Sequence, residues 1–222
     1  MRIISPRPIS YGMNLISFLK KLPIDVGQAE KKHDTAGKRI AFSFVPRVRR
    51  SRSEGRDDTK KIAYDIGCRD GYWSERLKEK GYEVRSLDVE PHYAGALQHD
   101  LEKGLPYADR SCDVLWCTEV IEHLRNPSVF LKEIERIMRP GGIAIMTTPN
   151  SDWWFYWVVR LWGWTPSKLQ NPDHKQFFNK KTLVDLAPRY RIFGYFPYAI
   201  FFYRVERLSG LLSPTFILVK TF

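Results

Sequence analysis

Between residues 62 and 150 the chain alternates short apolar runs with stretches whose apolar positions recur every three or four residues. Ile62–Ile66 is a run of strand length. In Tyr72–Lys80, Trp73 and Leu77 share one helical face while Arg76, Lys78, Glu79 and Lys80 take the other. Val84–Asp88, Ala96–His99, Val114–Cys117 and Ile143–Thr148 read as further strands. Val129–Met138 reads as a helix, because Phe130, Ile134, Ile137 and Met138 recur at helical spacing with Lys132, Glu133, Glu135 and Arg136 turned outward. This alternation predicts an α/β fold with a doubly wound, mostly parallel sheet. Ligands of such sheets sit beyond the carboxyl ends of the strands, where Asp65, Asp88, Asp100 and Glu119 all fall.

The flanks follow other patterns. Residues 1–30 contain the breakers Pro6, Pro8, Gly12, Pro23 and Gly27, and a helix is expected through Gln28–Ser43 before Pro46 and a polar linker at Ser51–Thr59. The expected organisation is a basic extension, 1–61, followed by one domain, 62–222. Within that domain, residues 151–178 form an aromatic insertion holding five of the seven tryptophans: Trp153, Trp154, Trp157, Trp162 and Trp164. Arg160 and Gly163 interrupt it, so it is too short to span a bilayer. It reads first as a lid packed across the sheet edge. A second reading is a surface that meets a membrane interface or an apolar substrate, since Trp favours such boundaries. Lys180–Ala187 looks helical, and Ile192–Phe196 and Phe216–Thr221 look like closing strands.

Charge sharpens this division. Residues 1–61 hold 15 Lys and Arg against 6 Asp and Glu, a net of +9 out of a total of +11. The excess is densest in Arg47-Val48-Arg49-Arg50-Ser51-Arg52. It reads as a solvated arm, with contact to nucleic acid or an anionic membrane as the sharper alternative. The arm lacks the interleaved aromatic and basic residues of a single-strand-binding groove. A hydrophobic content of 43% fits a globular rather than a disordered chain. Cys68, Cys112 and Cys117 are odd in number and lie in or beside expected strands, which suits a reducing compartment better than a disulfide framework. No Cys or His spacing suggests a zinc site. Ile16-Ser17-Phe18-Leu19 runs straight into Lys20-Lys21, so no signal peptide is expected and the protein is expected in the cytoplasm, with peripheral membrane contact as the variant reading.

The chemistry concentrates in Asp65-Ile66-Gly67-Cys68-Arg69-Asp70-Gly71, a turn between the first strand and the first helix of the domain. Gly67 and Gly71 permit left-handed backbone and close approach of a ligand. About twenty residues on, a second strand ends in Asp88, the spacing at which nucleotide sites set a carboxylate on ribose hydroxyls. The dinucleotide fingerprint has a glycine where Arg69 stands, and Asp65 and Asp70 would repel a pyrophosphate. These acids favour a cationic nucleoside.

At this point the chain resembles the class I S-adenosylmethionine-dependent methyltransferases. The resemblance extends through His99-Asp100-Leu101, through Leu105–Leu115 (similar to "LPF-x-D-x-SFDVV") and through Glu119-Val120-Ile121-Glu122-His123-Leu124 ("EVIEHL"). It continues in Arg139-Pro140-Gly141-Gly142 ("kPGG") and Thr148-Pro149-Asn150 ("TPN"). It implies a seven-stranded Rossmann-like sheet with an antiparallel terminal strand, and S-adenosyl-L-methionine as cofactor. The implied cofactor residues are Asp65, Gly67, Cys68, Gly71, Asp88, Asp100, Leu101 and Glu119. Asp65 would fix the loop and reach the methionine amino group, while Asp100 and Leu101 would flank the adenine. His174, in Asn171-Pro172-Asp173-His174-Lys175-Gln176-Phe177-Phe178, is the leading candidate for a general base, with His123 second. No metal is expected. The implied reaction is methyl transfer to a small or lipid- or saccharide-linked acceptor. RNA methylation through the basic arm, and a non-catalytic binding module that retains the fold, stand as alternatives. Arg69 in place of a glycine is the departure that supports the last of these.

Overall fold

The computed structural model describes residues 34–48, 60–161, 163, 165–171, 173–198 and 201–222. The front part of the expected helix at Gln28–Ser43, the linker Ser51–Thr59, the basic residues Arg49–Arg52, Trp162 and Trp164 lie outside these residues. The chain order is α1 (Ala36–Phe42), β1 (Ile62–Ile66), α2 (Tyr72–Glu79), β2 (Glu83–Asp88), β3 (Leu97–Gln98), β4 (Cys112–Thr118), α3 (Pro127–Ile137) and β5 (Met138–Pro149). There follow α4 (Trp154–Arg160), α5 (Pro166–Leu169), α6 (Lys180–Leu186), β6 (Arg191–Tyr198), β7 (Phe201–Val205), α7 (Ser209–Leu212) and β8 (Thr215–Thr221).

The strands form one sheet in the order β3-β2-β1-β4-β5-β8-β6-β7. The first five are parallel. β8 pairs antiparallel with β5 and β6, and β7 pairs antiparallel with β6. The expected doubly wound sheet with an antiparallel terminal strand is therefore present, with β7 as an eighth strand. The run Phe201–Val205 carries no polar alternation by which to recognise an edge strand.

β4 is buried at every position, as a central strand covered on both faces must be. Alternate residues face opposite layers. Ile66, Leu115, Cys117 and Met146 join Phe130, Ile134 and Ile137 of α3 on one side, and Ala63, Val114, Trp116 and Ile145 join Trp73 and Leu77 of α2 on the other. α1 belongs to this second layer. Thr35 caps it, accepting from Lys38 N at 3.3 Å, and Phe42 meets Trp73 and Trp116 at ring-centroid distances of 5.0 and 5.4 Å. Residues 34–48, although they fall in the segment expected as an extension, thus pack on the sheet.

β5 begins earlier than its apolar run. Met138 pairs with Cys112 and Ile143 with Val114, so Arg139–Gly142 bulges within the strand. Gly141 takes φ 80° there. Asp113 holds the opposite edge, accepting from Ile62 N, Lys61 Nζ and Arg139 Nη1 at 2.9, 2.9 and 2.6 Å.

Candidate active site

The order of strands reverses at β1, which has β2 on one side and β4 on the other. Segments leaving β1 and β4 therefore diverge and open a crevice at their carboxyl ends. In the turn after β1, Gly67, Arg69 and Gly71 adopt φ of 78°, 49° and 79°. Gly67 N and Cys68 N donate to Leu87 O at 2.8 and 3.2 Å, Gly71 N donates to Cys68 O at 2.8 Å, and Arg69 N donates to Asp88 Oδ2 at 2.8 Å. These four donors fasten the turn to itself and to β2. What remains is acidic, which disfavours a phosphate and suits a cation.

The two glycines also have structural reasons to be glycine. A Cβ on Gly67 would overlap Val120, and one on Gly71 would overlap the ring of Tyr93. Tyr93 is held over the turn by bonds to Glu75 and Lys78. Arg69 holds a left-handed conformation unusual for a side-chain-bearing residue, is exposed, and its carbonyl accepts from His92 N at 2.9 Å.

Asp65 is 2% exposed. Ser74 Oγ donates to its Oδ2 at 2.6 Å, and Ser74 Oγ lies 2.7 Å from Ser86 Oγ. Burial pushes its carboxyl up to about 7, against the opposing pull of the Ser74 hydrogen bond. Asp88 is half-buried, and its two oxygens accept one backbone N–H each, from Arg69 and from Glu90. A carboxylate has about four acceptor positions, so capacity for a diol remains. Asp100 follows β3, close to Asp88 through the bond from His99 N to Asp88 O at 2.9 Å. Its exposed carboxylate caps a 3-10 turn at Leu101–Lys103 by accepting from Glu102 N at 3.0 Å. Leu101 is half-buried against the core. Cys68 is buried, and desolvation pushes its thiol up to about 12, so it is no nucleophile.

Leaving β4, Glu119 adopts φ 57° and accepts from Thr147 Oγ1 at 2.8 Å. Three residues later Glu122 is 1% exposed. Its Oε2 accepts from Thr148 Oγ1 at 3.0 Å. Burial, aided by the charge of Glu119, pushes its carboxyl well above the usual range. The aromatic insertion returns to this point. Ser151 N donates to Phe178 O at 2.8 Å, closing its base, and Lys175 N and Gln176 N both donate to Glu122 O at 2.9 Å. That brings His174 to His123, with ring centroids 4.8 Å apart at 82°. His123 Nδ1 faces Asp173 O and His174 Nδ1 faces Gln170 Oε1, each at 3.3 Å. Desolvation lowers both imidazoles; with the charge of His123 as a further cause, His174 falls to about 4. Both are neutral at neutral pH.

The structure thus groups Asp65, Gly67, Cys68, Gly71 and Asp88 around one turn, sets Asp100 and Leu101 beside Asp88, and gathers Glu119, His123 and His174 at the end of β4. Sequence reasoning gave no role to Tyr93, to Val120 within the "EVIEHL" segment, or to the Thr147-Thr148 pair, of which Thr148 opens "TPN". The threonines carried a signal, being polar residues at the end of an apolar strand. Tyr93 and Val120 carried none, since their role depends on tertiary contact with glycine.

This fold and arrangement define the class I S-adenosylmethionine-dependent methyltransferases. Residues 39–190 match the model of a family described as "Methyltransferase domain", and the chain belongs to that family. Two similar curated proteins are named ubiquinone biosynthesis O-methyltransferase. That of Idiomarina loihiensis is 29% identical over 146 residues, 57% of this chain and 59% of the relative. That of Rickettsia bellii is 25% identical over 171 residues, 66% of this chain and 63% of the relative. The chain therefore spans about three fifths of the length of these relatives. Among solved structures, a methyltransferase from Archaeoglobus fulgidus superposes with a TM-score of 0.55 at 16% identity, covering 74% of this chain and 87% of its own. One from Thermotoga maritima gives 0.56 at 18%, covering 73% and 82%. Identities this low speak to the fold alone. The acids of the turn, Asp65 and Asp88, fit the cationic cofactor of the class.

Proposed function

We propose that the protein transfers a methyl group from S-adenosylmethionine to an oxygen of a small, largely apolar acceptor. The observation that carries this reading is the pairing of the Asp65–Gly71 turn with Asp88 at the reversal of strand order. In this reading Asp88 takes the ribose hydroxyls, Asp100 and the Leu101 backbone flank the adenine, and Asp65, Gly67, Cys68 and Gly71 border the methionine portion. Glu119 lines the crevice from the β4 side. When bound, the cofactor supplies a methyl made electrophilic by its sulfonium. The protein's own contribution is alignment of the acceptor and exclusion of water. In this reading His174 accepts the acceptor's proton, which is supported by the contact of its Nδ1 with Gln170 Oε1: with Nδ1–H turned to that oxygen, the Nε2 lone pair of a neutral ring is left for the proton. His123 is the alternative proton acceptor.

The oxygen acceptor is supported by the names of the curated relatives and by these neutral histidines at the cofactor's side. Its apolar character is supported by α4. Trp153, Tyr156 and Val159 are buried beneath that helix, while Trp157 and Leu161 are 69% and 82% exposed. The same face supports contact with a lipid-linked or saccharide-linked acceptor, or with a membrane surface, by a protein of the cytoplasm. No helix among the described residues is long and apolar enough to cross a membrane. Incubation of the full chain with methyl-labelled S-adenosylmethionine and fractionated cell extract tests the reading. Label in an organic-soluble small-molecule fraction is expected. Label in RNA alone, or in no fraction, contradicts it.

A further inference from the structure

Glu122 is a buried acid to which the methyl-transfer reading gives no work. Its Oε2 is oriented by Thr148, whereas its Oε1 is buried without a hydrogen-bond partner among the described residues. An unsatisfied carboxylate oxygen in this setting is costly. Two imidazoles lie close to it: one ligand atom each from Glu122, His123 and His174 lie within 4.8 Å of one another.

We propose that Glu122, His123 and His174 bind one divalent transition-metal ion, with zinc the best match to the donor set. Two imidazoles and one carboxylate form a three-ligand set that leaves further coordination positions open, as catalytic zinc sites do. The orientation of the rings agrees. Asp173 O can only accept, as can Gln170 Oε1, so each Nδ1 carries its proton toward them and each Nε2 presents a lone pair. This is the outer-shell arrangement by which metal-binding histidines are held. Bonds of about 2.1 Å hold tetrahedral ligands about 3.4 Å apart, so donors that lie within 4.8 Å of one another need to close by at most about 1.4 Å. The two sides of the site are already tied together, because the segment that carries His174 donates two N–H groups to the carbonyl of Glu122.

A cation here would sit beside Glu119 at the end of β4 and lower the pKa of a hydroxyl that it touched. That role rests on the methyl-transfer reading, and His174 and His123 would then act as ligands in place of a base. The binding site itself does not depend on that reading.

The test uses the full chain without a histidine tag, stripped by a chelator and titrated with Co²⁺ followed by visible absorption, with Zn²⁺ as competitor. One equivalent is expected to bind with a saturable spectrum that zinc abolishes. Glu122→Gln and His174→Ala are each expected to weaken binding at least about tenfold. Circular dichroism checks that each variant folds; if Glu122→Gln does not, His174→Ala decides, since His174 lies at the surface end of the cluster. Absence of saturable binding, or variants that bind as the parent does, overturns the proposal. Calorimetry with S-adenosylhomocysteine on the same samples separates the two readings. Cofactor binding without metal binding sinks only the metal site, and metal binding without cofactor binding sinks only the methyl-transfer reading.

Discussion

At the scale of single residues, the turn after β1 is governed by one buried acid. Asp65 has a carboxyl raised from 3.8 to about 7 by desolvation, so its protonated form favours the folded state. The sign follows directly. Its contribution is fully present below the unfolded value near 3.8 and is lost as pH rises through the folded value near 7. Asp65→Asn removes this dependence while keeping an acceptor for Ser74. The parent should therefore lose stability relative to Asp65→Asn between about pH 4 and about pH 8, by roughly 4 kcal/mol at the upper end. Chemical denaturation of both proteins across that range measures it, and parallel curves would contradict the assignment. A cationic ligand reverses the balance, since it stabilises the ionised carboxylate. In the proposed function, an acid that is costly to the free protein is thus one that the cationic cofactor would favour.

At the scale of elements, the turn works because glycine lets neighbouring elements touch its backbone. Gly71 combines φ 79° with a Cβ direction blocked by Tyr93, whereas Gly95 has φ 83° with open space around it. Both substitutions by alanine bear the left-handed backbone penalty, but only Gly71→Ala must also displace a ring. Gly71→Ala should cost at least about 2 kcal/mol, and Gly95→Ala about 1 kcal/mol. Thermal unfolding of the pair separates conformation from contact, and equal losses would show that Tyr93 yields freely. The elements themselves were largely legible from periodicity. Ile62–Ile66, Val114–Cys117 and the helix through Phe130 and Ile137 all fall where their apolar spacing put them. β3 shrank from four expected residues to two, since its side chains are exposed and bury nothing. The start of β5 was illegible because Pro140-Gly141-Gly142 reads as a turn, and only pairing of Met138 with Cys112 and of Gly141 with Phe222 makes it part of a strand.

At the scale of the whole molecule, the sheet brings together acids that are far apart in sequence. Asp65, Asp88 and Glu119 could be placed at strand ends from the sequence, since strand ends follow from the apolar runs. The joining of Glu122 to His174 could not, because it depends on how the aromatic insertion folds back, and no spacing encodes that return. The same holds for α1, whose packing of Phe42 on Trp73 and Trp116 ties residues before the domain's first strand into its core. In the proposed function this assembly binds S-adenosylmethionine through the turn and Asp88. Isothermal titration of the full chain with S-adenosylhomocysteine, on the parent and on Asp88→Ala, tests it most directly. One-to-one binding that Asp88→Ala weakens by at least about tenfold, the loss of one to two hydrogen bonds to a charged group, is the predicted result. Absence of binding at high micromolar ligand, or equal affinity for the two proteins, would contradict it.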